Sequence, residues 1–106
     1  MMIQQLNDAF RTSLSADLGR VVMTSGIASL DAETVAGILS AVRTYDRFNE
    51  DIDPYGEHDM GRFTIRGEDY YWKIDYYDRN MEFHSPDPAD PSVTTRVLTI
   101  MRVDEY

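Results

Sequence analysis

One predicted β-strand constrains the fold of this chain more than any other segment. Residues 69–77 read DYYWKIDYY, a run rich in residues that favour strands. Successive side chains of a strand point to opposite faces of a sheet. The strand therefore presents two sets: Tyr70, Trp72, Ile74 and Tyr76 on one face, and Tyr71, Lys73, Asp75 and Tyr77 on the other. The set with Trp72 needs a covering layer, whereas Lys73 and Asp75 favour water on their side.

Two helices can supply that covering layer. Ile3, Leu6, Phe10 and Leu14 recur at helical spacing, which predicts a first helix over residues 3–15. Asp31 suits an N-cap, and the apolar positions that follow it share one helical stripe, which predicts a second helix over residues 31–46. The members of that stripe are Val35, Ile38, Leu39, Val42 and Tyr45. We expect Trp72 to pack against it.

The shorter segments complete a sheet. Residues 20–24 and 62–66 are predicted strands, the second joined to residues 69–77 by a hairpin turn at Gly67-Glu68. A turn at 78–80 leads into a predicted short strand at 81–84, and the proline-rich residues 85–91 predict a rigid, extended linker.

The C-terminal segment is ambiguous. Asp90 and Pro91 are typical of a helix start, but the β-branched residues that follow favour a strand. The start signal predicts a helix over residues 92–104. The whole chain, residues 1–106, is then expected to be a single α+β domain: a small antiparallel sheet with two or three helices packed on one face.

The charge narrows the classes of partner. The chain has 19 acidic and 10 basic residues, for a formal net charge of −9. This excess opposes direct binding to nucleic acid and to anionic membranes, and it favours a basic protein partner. Solubility alone is the alternative explanation. The chain has no cysteine, no apolar run long enough to span a membrane and no signal-peptide pattern, so a cytoplasmic location is expected.

The segment DPYGEHDMG, residues 53–61, contains the one cluster that resembles a metal or catalytic motif. Asp51 and Asp53 fit the first positions of a calcium loop, but Arg62 stands where the bidentate glutamate is required. His84 is the second imidazole of the chain, and the sequence gives no reason for it to converge on His58. No metal and no cofactor are therefore predicted.

The first hypothesis for function is a non-enzymatic domain that binds a basic protein. Six acids crowd into residues 46–59, which we call the acidic loop, and exposed tyrosines are typical of protein contacts. Carboxylates on such a loop could imitate the phosphates of a nucleic acid. The predicted partner-binding residues are Asp46, Glu50, Asp51, Asp53, Glu57, Asp59, Tyr71 and Tyr77.

The second hypothesis is a small enzyme or a ligand-binding domain. The Gly-Glu-His-Asp loop and the Lys-Ile-Asp strand together offer an acid, a base and an amine that could share one pocket. Its residues would be Glu57, His58, Asp59, Lys73 and Asp75. No standard catalytic signature supports this alternative, and an ion pair between Lys73 and Asp75 is the plainer structural interpretation.

Several unusual motifs in one order give the chain a resemblance to a known family. The motifs are DPYGEHDMGRF, YYWKIDYYD, DPADPSVTTRVLTIM and the closing DEY. They resemble the bacterial domain-of-unknown-function family 3768, from the segment Leu6-Asn7-Asp8 to Tyr106. The resemblance implies a small bacterial protein, often encoded on plasmids and other mobile elements, and so an inhibitor of a host defence nuclease or a regulator. The family offers no catalytic residues to transfer to this chain.

Overall fold

The computed structural model describes residues 2–106, in which helices cover one face of a four-stranded sheet. The strands lie in the order β1-β4-β3-β2. The elements are α1 (Ile3–Ser13), β1 (Arg20–Met23), α2 (Ser25–Ala28), α3 (Ala32–Arg43), β2 (Met60–Ile65), β3 (Glu68–Tyr77) and β4 (Thr95–Arg102), with 3₁₀ turns at Pro91–Val93 and Val103–Glu105. None of the helices within the described residues is long and apolar enough to span a membrane.

The predicted α+β class is confirmed, and the sheet is mixed. β3 pairs antiparallel with both β2 and β4, but β1 joins the outer side of β4 in parallel. Most of the chain separates β1 from β4, and this long connection permits a parallel pairing, which a hairpin would not. The predicted antiparallel sheet is therefore right for the pairs of β3 with β2 and β4 and wrong for the pair of β1 with β4.

The core lies between the sheet and the helices. Residues of all three helices belong to one buried cluster with alternate residues of β3 and β4, so the helices share one face of the sheet. The fully or nearly fully buried members are Phe10, Ile27, Ile38, Val42, Tyr70, Trp72, Ile74, Leu98 and Ile100. The predicted contact between the face of Trp72 and the stripe of α3 is confirmed.

The two long helices form where they were predicted. Asp31 caps α3, and its carboxylate accepts a hydrogen bond from the Thr34 amide at 3.4 Å. The first helix ends at Ser13 because Leu14 takes a left-handed conformation (φ 53°). The short helix α2 was not predicted, since four residues are too few for a periodic pattern.

The hairpin of β2 and β3 is confirmed, with its turn one residue earlier than predicted. Arg66 and Gly67 both have positive φ (51° and 81°), as in the two-residue turns that match strand twist. The register places Arg62 opposite Tyr71 and Gly61 opposite Trp72.

Two predictions for residues 81–91 are wrong. Residues 81–83 form no strand, and only an isolated bridge joins His84 to Tyr77. Asp78 prevents the strand, because its carbonyl and carboxylate accept the amides of Met81 and Glu82 and close a turn. The proline-rich segment is not extended either. It turns back at Asp87–Asp90, and its Ser85 hydroxyl is buried against that of Thr94 at 2.7 Å.

The predicted C-terminal helix is also wrong, because residues 95–102 form the strand β4. The helix-start signal is real, since Asp90 caps the amide of Ser92 and Pro91 follows it, but it begins only the 3₁₀ turn Pro91–Val93. Beyond that turn, β4 lies between β1 and β3 and pairs on both sides. Tertiary pairing of a β-branched segment therefore outweighs the local start signal.

Candidate functional site

The segment 53–61 is built around the carboxylate of Asp53. This side chain is 7% exposed and accepts the backbone amides of Glu57 (2.9 Å) and His58 (3.1 Å). Gly56 and His58 both take positive φ, which brings those two amides towards the carboxylate. Asp53 is therefore a structural residue of the loop and does not belong to its exposed acidic surface.

His58 attaches this loop to the first helix. Its Nδ1 lies 2.9 Å from a carboxylate oxygen of Asp8, and its Nε2 lies 2.9 Å from the amide nitrogen of Gln4. Because a carboxylate can only accept, Nδ1–H is the donor in the contact with Asp8. A carboxylate oxygen of Asp53 lies 4.0 Å from Nε2. The ring also stacks on Phe48, with centroids 3.7 Å apart and planes 2° apart. Both nitrogens and one ring face are thus engaged within the protein.

Glu57 belongs to a buried polar network. The phenol of Tyr76 donates to Glu57 Oε1 at 2.9 Å and accepts from the side-chain amide of Asn7 at 2.8 Å. Asn7 is fully buried, and its oxygen accepts from Arg96 Nε at 2.8 Å. Burial, together with the nearby Glu57, raises the pKa of Tyr76 well above its ordinary value. The phenol therefore stays neutral, and Glu57 is held as a hydrogen-bond acceptor.

The pocket of the second hypothesis is divided by the sheet. Glu57 and His58 contact α1 on the helix-covered side, whereas Lys73 and Asp75 alternate with the core residues Trp72 and Ile74 and so lie on the opposite side. Lys73 and Asp75 form the plain ion pair of the structural interpretation, at 3.1 Å. The five residues do not meet in one pocket, so the geometry does not favour an enzyme built from them.

Asp59 is the member of the loop with the least favourable environment. It lies on a shallow depression at the sheet edge that Asp75, Tyr77 and His84 also line. Burial raises the pKa of the Asp59 carboxyl, and the charge of Glu57 raises it further, followed by Asp53 and Asp75. No lysine or arginine lines this depression, so the carboxylate has no permanently charged cation beside it there.

We expect Asp59→Asn to stabilise the protein at pH 7. The folded state keeps the Asp59 proton to a higher pH than the unfolded chain does. Stability therefore falls as the pH rises from the ordinary Asp value to the raised one, and the loss persists at neutral pH. An asparagine cannot ionise and avoids this loss. Urea denaturation should show that Asp59→Asn is more stable than wild type at pH 7. The difference should disappear below the ordinary pKa of an aspartate. A variant less stable than wild type at pH 7 would contradict the expectation.

Three carboxylates of the acidic loop remain unused by the fold. Asp46, Glu50 and Asp51 are exposed, and within residues 2–106 their side chains form no ion pair and accept no hydrogen bond. The loop beneath them is ordered by Asn49, whose side chain accepts the amides of Asp51 and Ile52. These three side chains are therefore presented to solvent by a structured backbone.

A groove connects the acidic loop to the uncovered face of the sheet, which we call the outer face. The groove runs between the loop and β2, encloses about 630 Å³ and is lined by Asp46, Arg47, Asn49, Ile52, Arg62, Phe63 and Thr64, among others. Arg62 crosses from the groove to the outer face, where its guanidinium lies 5.7 Å from the ring centre of Tyr71. The ring of Tyr106 packs beside Tyr71 at 5.3 Å. The predicted Tyr71 thus adjoins the groove, while Tyr77 lies beside Asp59 at the other end of β3.

Sequence reasoning missed Phe48, Arg62 and Tyr106 as parts of these surfaces. Phe48 alone carries no local signal, because its stacking on His58 depends on how the loop folds. Arg62 could have been found, since the hairpin register pairs it with the aromatic Tyr71.

Within the described residues, no three His, Asp or Glu side chains are arranged to hold a metal ion.

The comparison with known proteins identifies the family. Residues 23–105 match the family described as Protein of unknown function (DUF3768), which covers most of the chain. The chain belongs to this family. The match begins at Met23, so α1 and its contacts to the loop lie outside it. No curated protein and no solved structure matches the chain.

Proposed function

We propose that this protein is a non-enzymatic binding domain that engages a basic protein through the acidic loop. One observation carries the proposal: the fold uses Asp53 and Glu57 internally but leaves Asp46, Glu50 and Asp51 exposed and unpaired. Exposed carboxylates without partners are available to arginines and lysines of another protein. The negative field of a chain with a net charge of −9 would steer such a partner towards them.

The neighbouring surface has the composition of a protein contact. The groove beside the three carboxylates presents apolar Ile52 and Phe63 next to Arg62, and it continues onto Tyr71. Tyrosine and arginine are enriched in protein interfaces, where they supply area and hydrogen bonds together. In this proposal the carboxylates orient the partner and speed its association. The groove and Tyr71 supply the contact area.

The concrete form of the proposal is an inhibitor of a basic, nucleic-acid-handling protein. Such a partner has a cationic groove for phosphates, and exposed carboxylates on one ordered loop can occupy it. The mobile-element setting implied by the family resemblance would fit an inhibitor of a host defence nuclease.

We expect the loop variant Asp46→Asn/Glu50→Gln/Asp51→Asn to lose most of its capture of a basic partner. The tagged wild-type protein should retain such a partner from a bacterial lysate at low salt and release it at high salt. The matched control is Asp17→Asn/Glu33→Gln/Glu82→Gln, which also removes three exposed negative charges but lies outside the loop and groove.

The comparison of the two variants decides the proposal. Capture that survives in the control and is lost in the loop variant supports a local site. Equal loss of capture in both variants would mean that the partner responds to net charge and not to a local site. The absence of any basic, salt-sensitive partner of the wild-type protein would contradict the proposal as a whole.

A further inference from the structure

Arg96 is a buried charge without a counter-ion. The residue is 4% exposed, and no carboxylate of residues 2–106 lies within ion-pair distance of its guanidinium. Its Nε donates to Asn7 and its Nη2 to the carbonyl of Pro88, while the ring centre of Tyr76 lies 5.3 Å away. A buried charge is costly unless it is paired, and neutral acceptors alone leave that cost largely unmet.

One nitrogen of Arg96 is left without a hydrogen bond by the part of the chain that the structure describes. Within the described residues, Nη1 makes no hydrogen bond. The fully buried unpaired side-chain nitrogens there are Arg11 Nε and Trp72 Nε1, so Arg96 Nη1 keeps contact with solvent. Arg96 lines a cleft of about 280 Å³, which offers that solvent path. The guanidinium can therefore donate to a molecule that enters the cleft.

Basic side chains are concentrated around this cleft, although the protein as a whole is acidic. Arg20, Arg79 and Arg96 all line it, and none of them forms an ion pair within residues 2–106. The one acid that lines it is the exposed Asp17. The head group of Arg79 is directed there by its Nη1 bond to the Thr94 carbonyl at 3.4 Å. Within residues 2–106, half of the ten basic residues form no ion pair, and three of these five line this cleft.

Small residues line part of the cleft wall, which leaves room for a compact ligand. Ala9 of α1 and Ala16 line one side, and Gly19 lets the segment after α1 approach β4 closely. A Cβ atom on Gly19 would lie 2.8 Å from the carbonyl oxygen of Arg96. The volume is near the lower end for small-molecule sites.

We propose that this cleft binds a phosphate group, either as the free ion or at the end of a small phosphorylated molecule. Guanidinium groups match the oxygens of phosphate with paired hydrogen bonds, and a dianion would compensate the unpaired charge of Arg96. The cleft shares no residue with the groove beside the acidic loop. This inference is therefore independent of the proposed function.

The test is a titration of the protein with inorganic phosphate at constant ionic strength, followed by backbone amide NMR. We expect saturable shifts at Gly19 and Thr95, and a roughly tenfold or greater loss of affinity in Arg79→Gln, as expected for a hydrogen bond to a charged group. Arg43→Gln removes an exposed, unpaired arginine outside the cleft and should bind like wild type.

Two further arms make the test decisive. Arg20→Gln repeats it at a second exposed arginine, so the result does not depend on altering buried Arg96. A titration with glycerol phosphate distinguishes the sources: tighter binding than inorganic phosphate assigns the cleft to an esterified phosphate, and weaker binding assigns it to the free ion. Shifts that do not saturate for either probe, or that are unchanged in both Arg79→Gln and Arg20→Gln, would overturn the proposal.

Discussion

The variant Asn7→Ala should lose about 2–4 kcal/mol of folding free energy, the largest single effect expected from a polar residue here. The Asn7 side chain is fully buried and makes three hydrogen bonds: to the carbonyl of Glu57 (3.0 Å), to the phenol of Tyr76 (2.8 Å) and from Arg96 Nε (2.8 Å). Alanine would remove all three bonds: the Glu57 carbonyl and the charged Arg96 Nε would lose their partner, and the Tyr76 phenol would keep only its bond to Glu57. Urea denaturation monitored by Trp72 fluorescence measures the loss.

A matched substitution on the same helix separates this network from helix propensity. Thr12 is exposed, and among the described residues its hydroxyl bonds only to the carbonyl of Asp8 one turn earlier. Thr12→Ala should therefore stay within about 0.5 kcal/mol of wild type. If Asn7→Ala were equally mild, the buried network would not be the link between α1, the loop and the sheet that the geometry indicates.

The second large effect is expected at Gly61, which lies in β2 opposite Trp72. A Cβ atom there would overlap Trp72 Nε1 and lie 2.7 Å from the ring of Tyr45, so these two core rings would have to shift. Gly61→Ala should cost about 1–3 kcal/mol through overpacking. Calorimetry should show a lower Tm.

Gly37 provides a control of opposite sign. It lies in the middle of α3, and apart from its chain neighbours and the adjacent backbone of its own helix, no atom of the described residues lies within 4 Å of a Cβ built there. Gly37→Ala should stabilise the protein by about 0.5–1 kcal/mol, because alanine favours the helix and nothing obstructs it. Similar changes in both variants would mean that packing at Gly61 is looser than the distances indicate.

The sequence was most informative where one local pattern determined the result. The alternation at 69–77 and the capped stripe after Asp31 predicted β3, α3 and the contact between them, because side-chain periodicity alone decides which face is buried. The same reasoning failed for residues 92–104, where it predicted a helix. Their start signal belongs to a three-residue turn, and the strand beyond it is stabilised by partners distant in sequence.

The candidate site was only partly predictable for the same reason. The charge of the acidic loop is visible in the sequence, but its division into used and unused carboxylates is not. Asp53 turns inward because its own loop supplies two amides, and Glu57 is fixed by Tyr76 from a distant strand. The arginine cleft was invisible as well, since Arg20, Arg79 and Arg96 come together only when β1 pairs with β4.

The most direct test of the proposed function is the salt dependence of affinity between this protein and its captured partner. Isotherms at low and high salt should show that wild type and Asp17→Asn/Glu33→Gln/Glu82→Gln bind alike and weaken together as salt rises. Asp46→Asn/Glu50→Gln/Asp51→Asn should bind more weakly at low salt and respond less to salt, because it has lost the charges that attract the partner. An affinity and a salt slope equal to those of wild type in this loop variant would contradict the assignment of the acidic loop as the binding site.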